Sequence, residues 1–139
     1  MINPGAEDLE TEVRRFNYKV EAGAEFAVST PVFDVETFER LFRRIESAKI
    51  PIILGLWPFE SVLNAEFMAN EVPGVRVPAS VVARMARAAD AIEEGVNIAR
   101  EVGIALRPLV HGVHVTSPSG RLDSALAVAE GLRSDLDPR

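Results

Sequence analysis

Apolar residues recur along this chain in two rhythms, and the alternation between them lays out its elements. Between residues 6 and 22, Leu9, Val13, Phe16 and Val20 stand three or four apart, the spacing of one helical face. Glu7, Asp8 and Glu10 fall in the first turn, where the helix dipole favours acids, and Gly23 follows as a left-handed stop. A single apolar stripe predicts a helix on the outside of a sheet. Next comes a run with no polar gap, Phe26-Ala27-Val28, tipped by Ser29 and Thr30 and stopped by Pro31. Such a run suits a parallel strand covered on both faces, and Pro31 has no N–H for the ladder. Asp34 then caps a second helix over 34–48, whose buried stripe is Phe38, Leu41, Phe42 and Ile45.

The same order repeats. Residues 51–58 are apolar throughout and end in Gly, Trp and Pro, which predicts another buried strand. A short helix over 59–69 and a loop over 72–78 follow. Ser80 is placed to cap a helix that reaches Ala89 and carries Val82, Met85 and Ala89 on one side. Asp90 caps a further helix with Ile92, Val96, Ala99 and Val102 as its stripe. The last strand covers 109–116, a turn covers 117–121, and Leu122, Leu126 and Leu132 mark a final helix. Strands alternating with helices predict an α/β fold with a parallel sheet. The folded domain is expected over 1–133, with a polar tail over 134–139.

Length bounds this picture. A chain of 139 residues fits one domain but not a complete (β/α)8 barrel, which takes about 250. The net charge of −6 argues against nucleic-acid binding, and the absence of cysteine excludes disulfides, thiolate metal sites and a Cys nucleophile. No basic-then-apolar leader and no membrane-spanning apolar run stands out, so a soluble, cytoplasmic domain is expected.

Candidate chemistry starts at the strand ends, because α/β folds bind ligands at the carboxyl ends of their strands. Ser29 and Thr30 put short polar groups there. Gly55 allows a close approach, either by a ligand or by a neighbouring strand. Arg40, Arg43 and Arg44 have Glu36, Glu39 and Glu46 within pairing distance on the helix and read as a solvated face. His111 and His114, three apart on a strand, point to opposite faces and do not make a metal site. No dinucleotide fingerprint, P-loop or nucleophile elbow is present.

The wording of several segments adds to the pattern. Residues 22–34, AGAEFAVSTPVFD, resemble the "AGAdFaiTQpvFD" segment of methylenetetrahydrofolate reductases. Residues 51–58 resemble that family's "IPIIpGilPv" strand, with Trp57 in place of a smaller apolar residue. "Val-Pro-Ala" before a helix recurs in it as well. The turn Ser117-Pro118-Ser119-Gly120-Arg121 resembles the "PPfGRy" of reductases fused to a homocysteine S-methyltransferase domain, rather than the "TLNR" of stand-alone ones. The resemblance runs from about Asn3 to about Leu132. It covers the later part of the family's barrel, roughly the last three β/α units with extra helices.

The resemblance implies a flavin-dependent (β/α)8 enzyme that reduces 5,10-methylenetetrahydrofolate to 5-methyltetrahydrofolate with NAD(P)H as donor. Asn3, Ala6, Glu12, Arg15, Tyr18 and Lys19 fall where family members contact FAD, with Lys19 in the best-matched run. Lys19 supplies a point charge suited to the flavin diphosphate. Asn64 and Met68 fall at folate-contacting positions, and Arg121 in the last turn is suited to a carboxylate or a pterin carbonyl edge. Thr30 stands where the family has a Gln that contacts both folate and nicotinamide, and its hydroxyl cannot reproduce a paired amide contact. The region that carries the family's catalytic acid is not in this chain. Two readings follow from the resemblance: part of a reductase that is incomplete alone, or a non-catalytic flavin- or folate-binding remnant with a regulatory role. An unrelated α/β protein is the third. Three strands from one side of a barrel leave open edges and an uncovered inner face. The implied partners are a second copy or a separately encoded first half; the alternative is that the extra helices cover that face.

Overall fold

Asp8, Asp34, Ser61 and Asp90 each accept a hydrogen bond from a backbone N–H three residues on, and these caps fix where four helices begin. The computed structural model describes residues 1–117 and 119–134. Its elements run α1 (Leu9–Glu21), β1 (Ala27–Pro31), α2 (Val35–Ile45), β2 (Ile52–Leu56), α3 (Val62–Asn70), α4 (Ala79–Arg87), α5 (Ala91–Leu106), β3 (Gly112–Val115) and α6 (Leu122–Ser134), with short 3-10 turns at Glu46–Ala48 and Arg107–Leu109. At the end of α1, Gly23 takes φ +101. There the N–H groups of Gly23 and Ala24 return to the carbonyls of Val20 and Lys19, a Schellman closure.

The strands form one parallel sheet in the order β1-β2-β3. Ile2 adds a single parallel bridge to Ser29 on the far side of β1. Between Val28 and Pro31 the β1–β2 register slips. Within the slip, the N–H of Gly55 donates to Ser29 Oγ at 2.8 Å. A Cβ on residue 55 would collide with the Ser29 carbonyl oxygen. The close approach that Gly55 permits is therefore that of a neighbouring strand.

Among the described residues, the helical cover lies on one side of the sheet. Ala27, Ile52, Leu54 and Leu56 of the strands pack with Phe16 of α1, Phe38, Leu41 and Ile45 of α2, Ala99, Val102 and Leu106 of α5, and Val128 of α6. The expectation of strands covered on both faces does not hold. Val28, Thr30, Ile53, Gly55, His114 and Thr116 line an open cavity of ≈ 620 Å³ on the other face, to which, among the described residues, no helix contributes a lining residue. Nor do the extra helices shield it. α3 and α4 build a second core at the carboxyl ends of the strands, where Phe33 and Phe59 stack at 4.6 Å between ring centres amid Met68, Val81, Met85 and Ile98. Gly95 is needed beneath this core, since a Cβ there would strike the Phe59 backbone. A one-sided parallel sheet of this kind is consistent with part of a (β/α)8 barrel.

Several element ends differ from expectation for local reasons. α3 starts at Val62 because Phe59 is drawn into the second core and Ser61 caps the helix. Ser80 is not a cap: α4 begins at Ala79, and the Pro78 carbonyl takes the N–H groups of Val81 and Val82. β3 is shorter than 109–116 because Pro108 sits in a 3-10 turn. In α4 the inward residues are Val81 and Met85, whereas Ala89 lies beyond the helix and is exposed. In α5, Ile98 is buried and Ile92 is 39% exposed. α6 turns Val128 inward and leaves Leu122 and Leu126 exposed. Ser134 still belongs to α6, and the rest of the predicted tail, 135–139, lies outside the described residues.

Candidate functional site

The carboxyl end of β1 gathers three of the residues singled out from sequence. Thr30 Oγ1 donates to Asn3 Oδ1 at 3.0 Å, and the same oxygen accepts the Gly5 N–H at 3.0 Å. Two bonds fill the two lone pairs of that amide oxygen. The N–H of Asn3 donates to Glu12 Oε1 at 2.8 Å, and Glu12 is buried at 7% exposure. Burying a carboxylate is costly without such a partner. Gly5 and Gly74 hold this corner shut, because a Cβ on Gly5 would press on the Gly74 carbonyl and one on Gly74 would press on the Asn3 amide. Lys19, one helix face along, donates from Nζ to the Met1 carbonyl at 2.7 Å and is exposed. Arg15 and Tyr18 are exposed on α1 as well, and Ala6 is half-buried.

The remaining candidates are spread over the ends of β2 and β3. Asn64 gives its backbone N–H to the Ser61 cap at 3.0 Å, while its Oδ1 is buried without a hydrogen-bond partner. Asp34 Oδ1 and Trp57 Nε1 are buried and unpartnered too. All three sit in segments that follow β1 or β2, beyond the carboxyl ends of those strands. Met68 is 3% exposed and packs inside the second core rather than lining the open cavity. Arg121 is exposed, and its carbonyl accepts a bond from Ser117 Oγ. Pro118 of that turn lies outside the described residues.

Sequence reasoning missed Glu60. Its carboxylate accepts from Ser119 Oγ at 2.6 Å and from Ser124 Oγ at 3.4 Å, tying the loop after β2 to the turn that carries Arg121. These partners are 59 and 64 residues away, and no local spacing signals them. His111 and His114 do face opposite sides. The first accepts the Ile52 N–H at Nδ1 and lines cavities on the helix side, and the second lines the open cavity. Among the described residues no group of three His, Cys, Asp or Glu side chains comes together as a metal site.

Away from these ends, the charges serve packing. Arg84 on α4 reaches Glu94 and Glu101 on α5, with Nε to Glu94 at 2.7 Å and Nη1 to Glu101 at 2.6 Å. The guanidinium holds the Glu101 carboxyl below its usual range, and Arg84 is raised in turn. Arg43 pairs with Glu39 on its own helix, as expected for a solvated face, whereas Arg44 reaches across to Glu10 of α1 rather than to a glutamate of α2.

What decides the lineage is how much of this framework matches one family. A model of the family described as methylenetetrahydrofolate reductase matches residues 1–117. The chain belongs to the methylenetetrahydrofolate reductase family. The matched span contains Asn3, Glu12, Arg15, Tyr18, Lys19, Thr30, Asn64 and Met68, and it ends before Arg121. Methylenetetrahydrofolate reductases are oxidoreductases and are generally flavin-dependent. Among the described residues of this family member, no helix is long and apolar enough to cross a membrane.

Proposed function

We propose that this chain supplies the later β/α units, roughly the last three, of a methylenetetrahydrofolate reductase barrel. In that reading it serves the reduction of 5,10-methylenetetrahydrofolate to 5-methyltetrahydrofolate in one-carbon and methionine metabolism, with FAD as cofactor and NAD(P)H as donor. The observation that carries the reading is the uncovered inner face of the sheet within a chain matched to this family over residues 1–117. Barrel interiors are packed cores. A wall bearing Val28, Ile53 and Thr30 against open space is the surface on which such a core closes.

When bound, the flavin supplies hydride transfer between the nicotinamide and the folate methylene group. The donor set on α1 suits its diphosphate. Lys19 spends one N–H on Met1 and keeps two, and Arg15 is exposed on the same helix. Glu12, turned inward onto Asn3, does not oppose an anion beside them. On the substrate side, the unpartnered Asn64 Oδ1 is an acceptor for a pterin N–H. Arg121, steadied through Glu60 and Ser119, offers two parallel N–H groups to a carboxylate or a carbonyl edge. This chain's residues would bind and orient, while the acid catalyst would come from the part of the barrel absent from these 139 residues.

A second reading, a non-catalytic binding module, is favoured by one observation. Thr30, where the family has Gln, directs its hydroxyl proton to Asn3 and has no donor left for the ligand. Titration of the purified chain with FAD, followed by flavin fluorescence, tests the first reading. Saturable binding weakened about tenfold in Lys19→Ala is expected, the loss of one charge-assisted contact. No binding to a folded sample would remove the free-standing flavoprotein and leave a wall that needs its other half.

A further inference from the structure

Alternation along the first three residues decides which backbone groups face β1. Ile2 donates to the Val28 carbonyl and accepts from the Thr30 N–H, each at 2.8 Å, so both its groups point into the sheet. The groups of its neighbours then point the other way, toward the open edge. There the Asn3 N–H is taken by Glu12 Oε1 at 2.8 Å, and the Met1 carbonyl is taken by Lys19 Nζ at 2.7 Å. The Asn3 carbonyl accepts from Ala6 N–H at 3.2 Å. A bare row of such groups is a template for another strand. On this edge the side chains of α1 already meet it.

We propose that Glu12 and Lys19 stand in for a neighbouring strand, and that they keep this edge from pairing until they are displaced. The partner that fits the edge is a strand parallel to Ile2, which would take the Asn3 N–H and the Met1 carbonyl in place of the two side chains. That the strand is a barrel strand rests on the function proposed above; the sealing does not. The device explains why Glu12 is buried with its carboxylate against a backbone amide. It also gives two residues that the resemblance assigns to a cofactor a role that needs no ligand.

The test uses the whole chain without flavin. Amide hydrogen exchange at Asn3 is expected to quicken about tenfold in Glu12→Ala, the loss of one charge-assisted hydrogen bond. Glu12→Gln, which keeps an acceptor oxygen, restores most of the protection. Sedimentation velocity on the double variant Glu12→Ala/Lys19→Ala is expected to show concentration-dependent association that neither the parent nor the Glu21→Gln control shows. Exchange at Leu54 checks that each variant is folded. Equal Asn3 exchange in parent and Glu12→Ala, with Leu54 equally protected, overturns the proposal. A folded double variant that stays as monomeric as the parent at every concentration overturns it too. Neither readout depends on FAD, so a failed flavin titration would sink the cofactor reading and leave this result standing.

Discussion

Leu54 and Ile53 are adjacent in β2, both aliphatic and both in strand geometry, yet they live on different surfaces. Leu54 is fully buried, enclosed by the core that four helices build on the outer face. Ile53 is half-buried and lines the open cavity of the inner face with Thr30 and His114. Among the described residues, helices cover the outer face and the inner face lies open. Stability should therefore reside on one side and recognition on the other. Leu54→Ala is the largest effect expected, about 2–5 kcal/mol from lost burial and the cavity left behind. Ile53→Ala should cost no more than about 1 kcal/mol in the isolated chain. Chemical denaturation of both variants measures the contrast. Equal costs would mean that the inner face is covered in solution, and the comparison would break.

The outer face was legible in sequence, and the inner face only through resemblance. Phe16, Leu41, Ile45 and Val102 stand at helical spacing, and that spacing alone puts them in one core. A strand's period cannot do as much here, because Val28 and Ile53 are as apolar as the buried Ala27 and Leu54. A barrel wall is apolar on both sides whether or not its interior has been filled. The sequence placed Ser29 and Thr30 at the carboxyl end of β1, where the structure has them, but the contacts made there were not legible. Asn3 meets Thr30 across 27 residues and Glu60 meets Ser119 across 59, through side chains whose types suit any surface loop. Met68, placed by the resemblance alone, lies in a second core with Phe33 and Phe59, which stand outside any helix and so carry no periodic signal of that contact.

Within the sheet itself, Ser29 sharpens the comparison. Its buried Oγ accepts the Gly55 N–H where the register slips, so it completes a ladder that the bulge would otherwise break. Ser29→Ala leaves that N–H buried and unsatisfied, at a cost of about 1–3 kcal/mol. Faster amide exchange at Gly55, measured by NMR, should accompany the loss. A Ser29→Ala protein with unchanged stability and unchanged Gly55 exchange would show that the strands can close the bulge by sliding.

The smallest effect expected lies where α4 is tied to α5, away from both faces of the sheet. Arg84 bonds Glu101 through both terminal nitrogens, at 2.6 and 3.0 Å, and reaches Glu94 besides. The arrangement is bidentate but wet, with the Arg84 side chain 35% exposed and that of Glu101 59% exposed. Solvent screening therefore holds its contribution to about 0.5 kcal/mol. The Glu101 carboxyl titrates below its ordinary value of 4.5 because Arg84 hydrogen-bonds its charged form. A depressed folded value stabilises the protein above the unfolded one and is lost as pH falls through the folded one. The melting temperature of the parent should thus exceed that of Arg84→Met at pH 7, and the gap should narrow as the pH drops below 4.5. A gap that stays constant down to full protonation of Glu101 would assign the effect to the packing of the Arg84 stem between the helices, not to its charge.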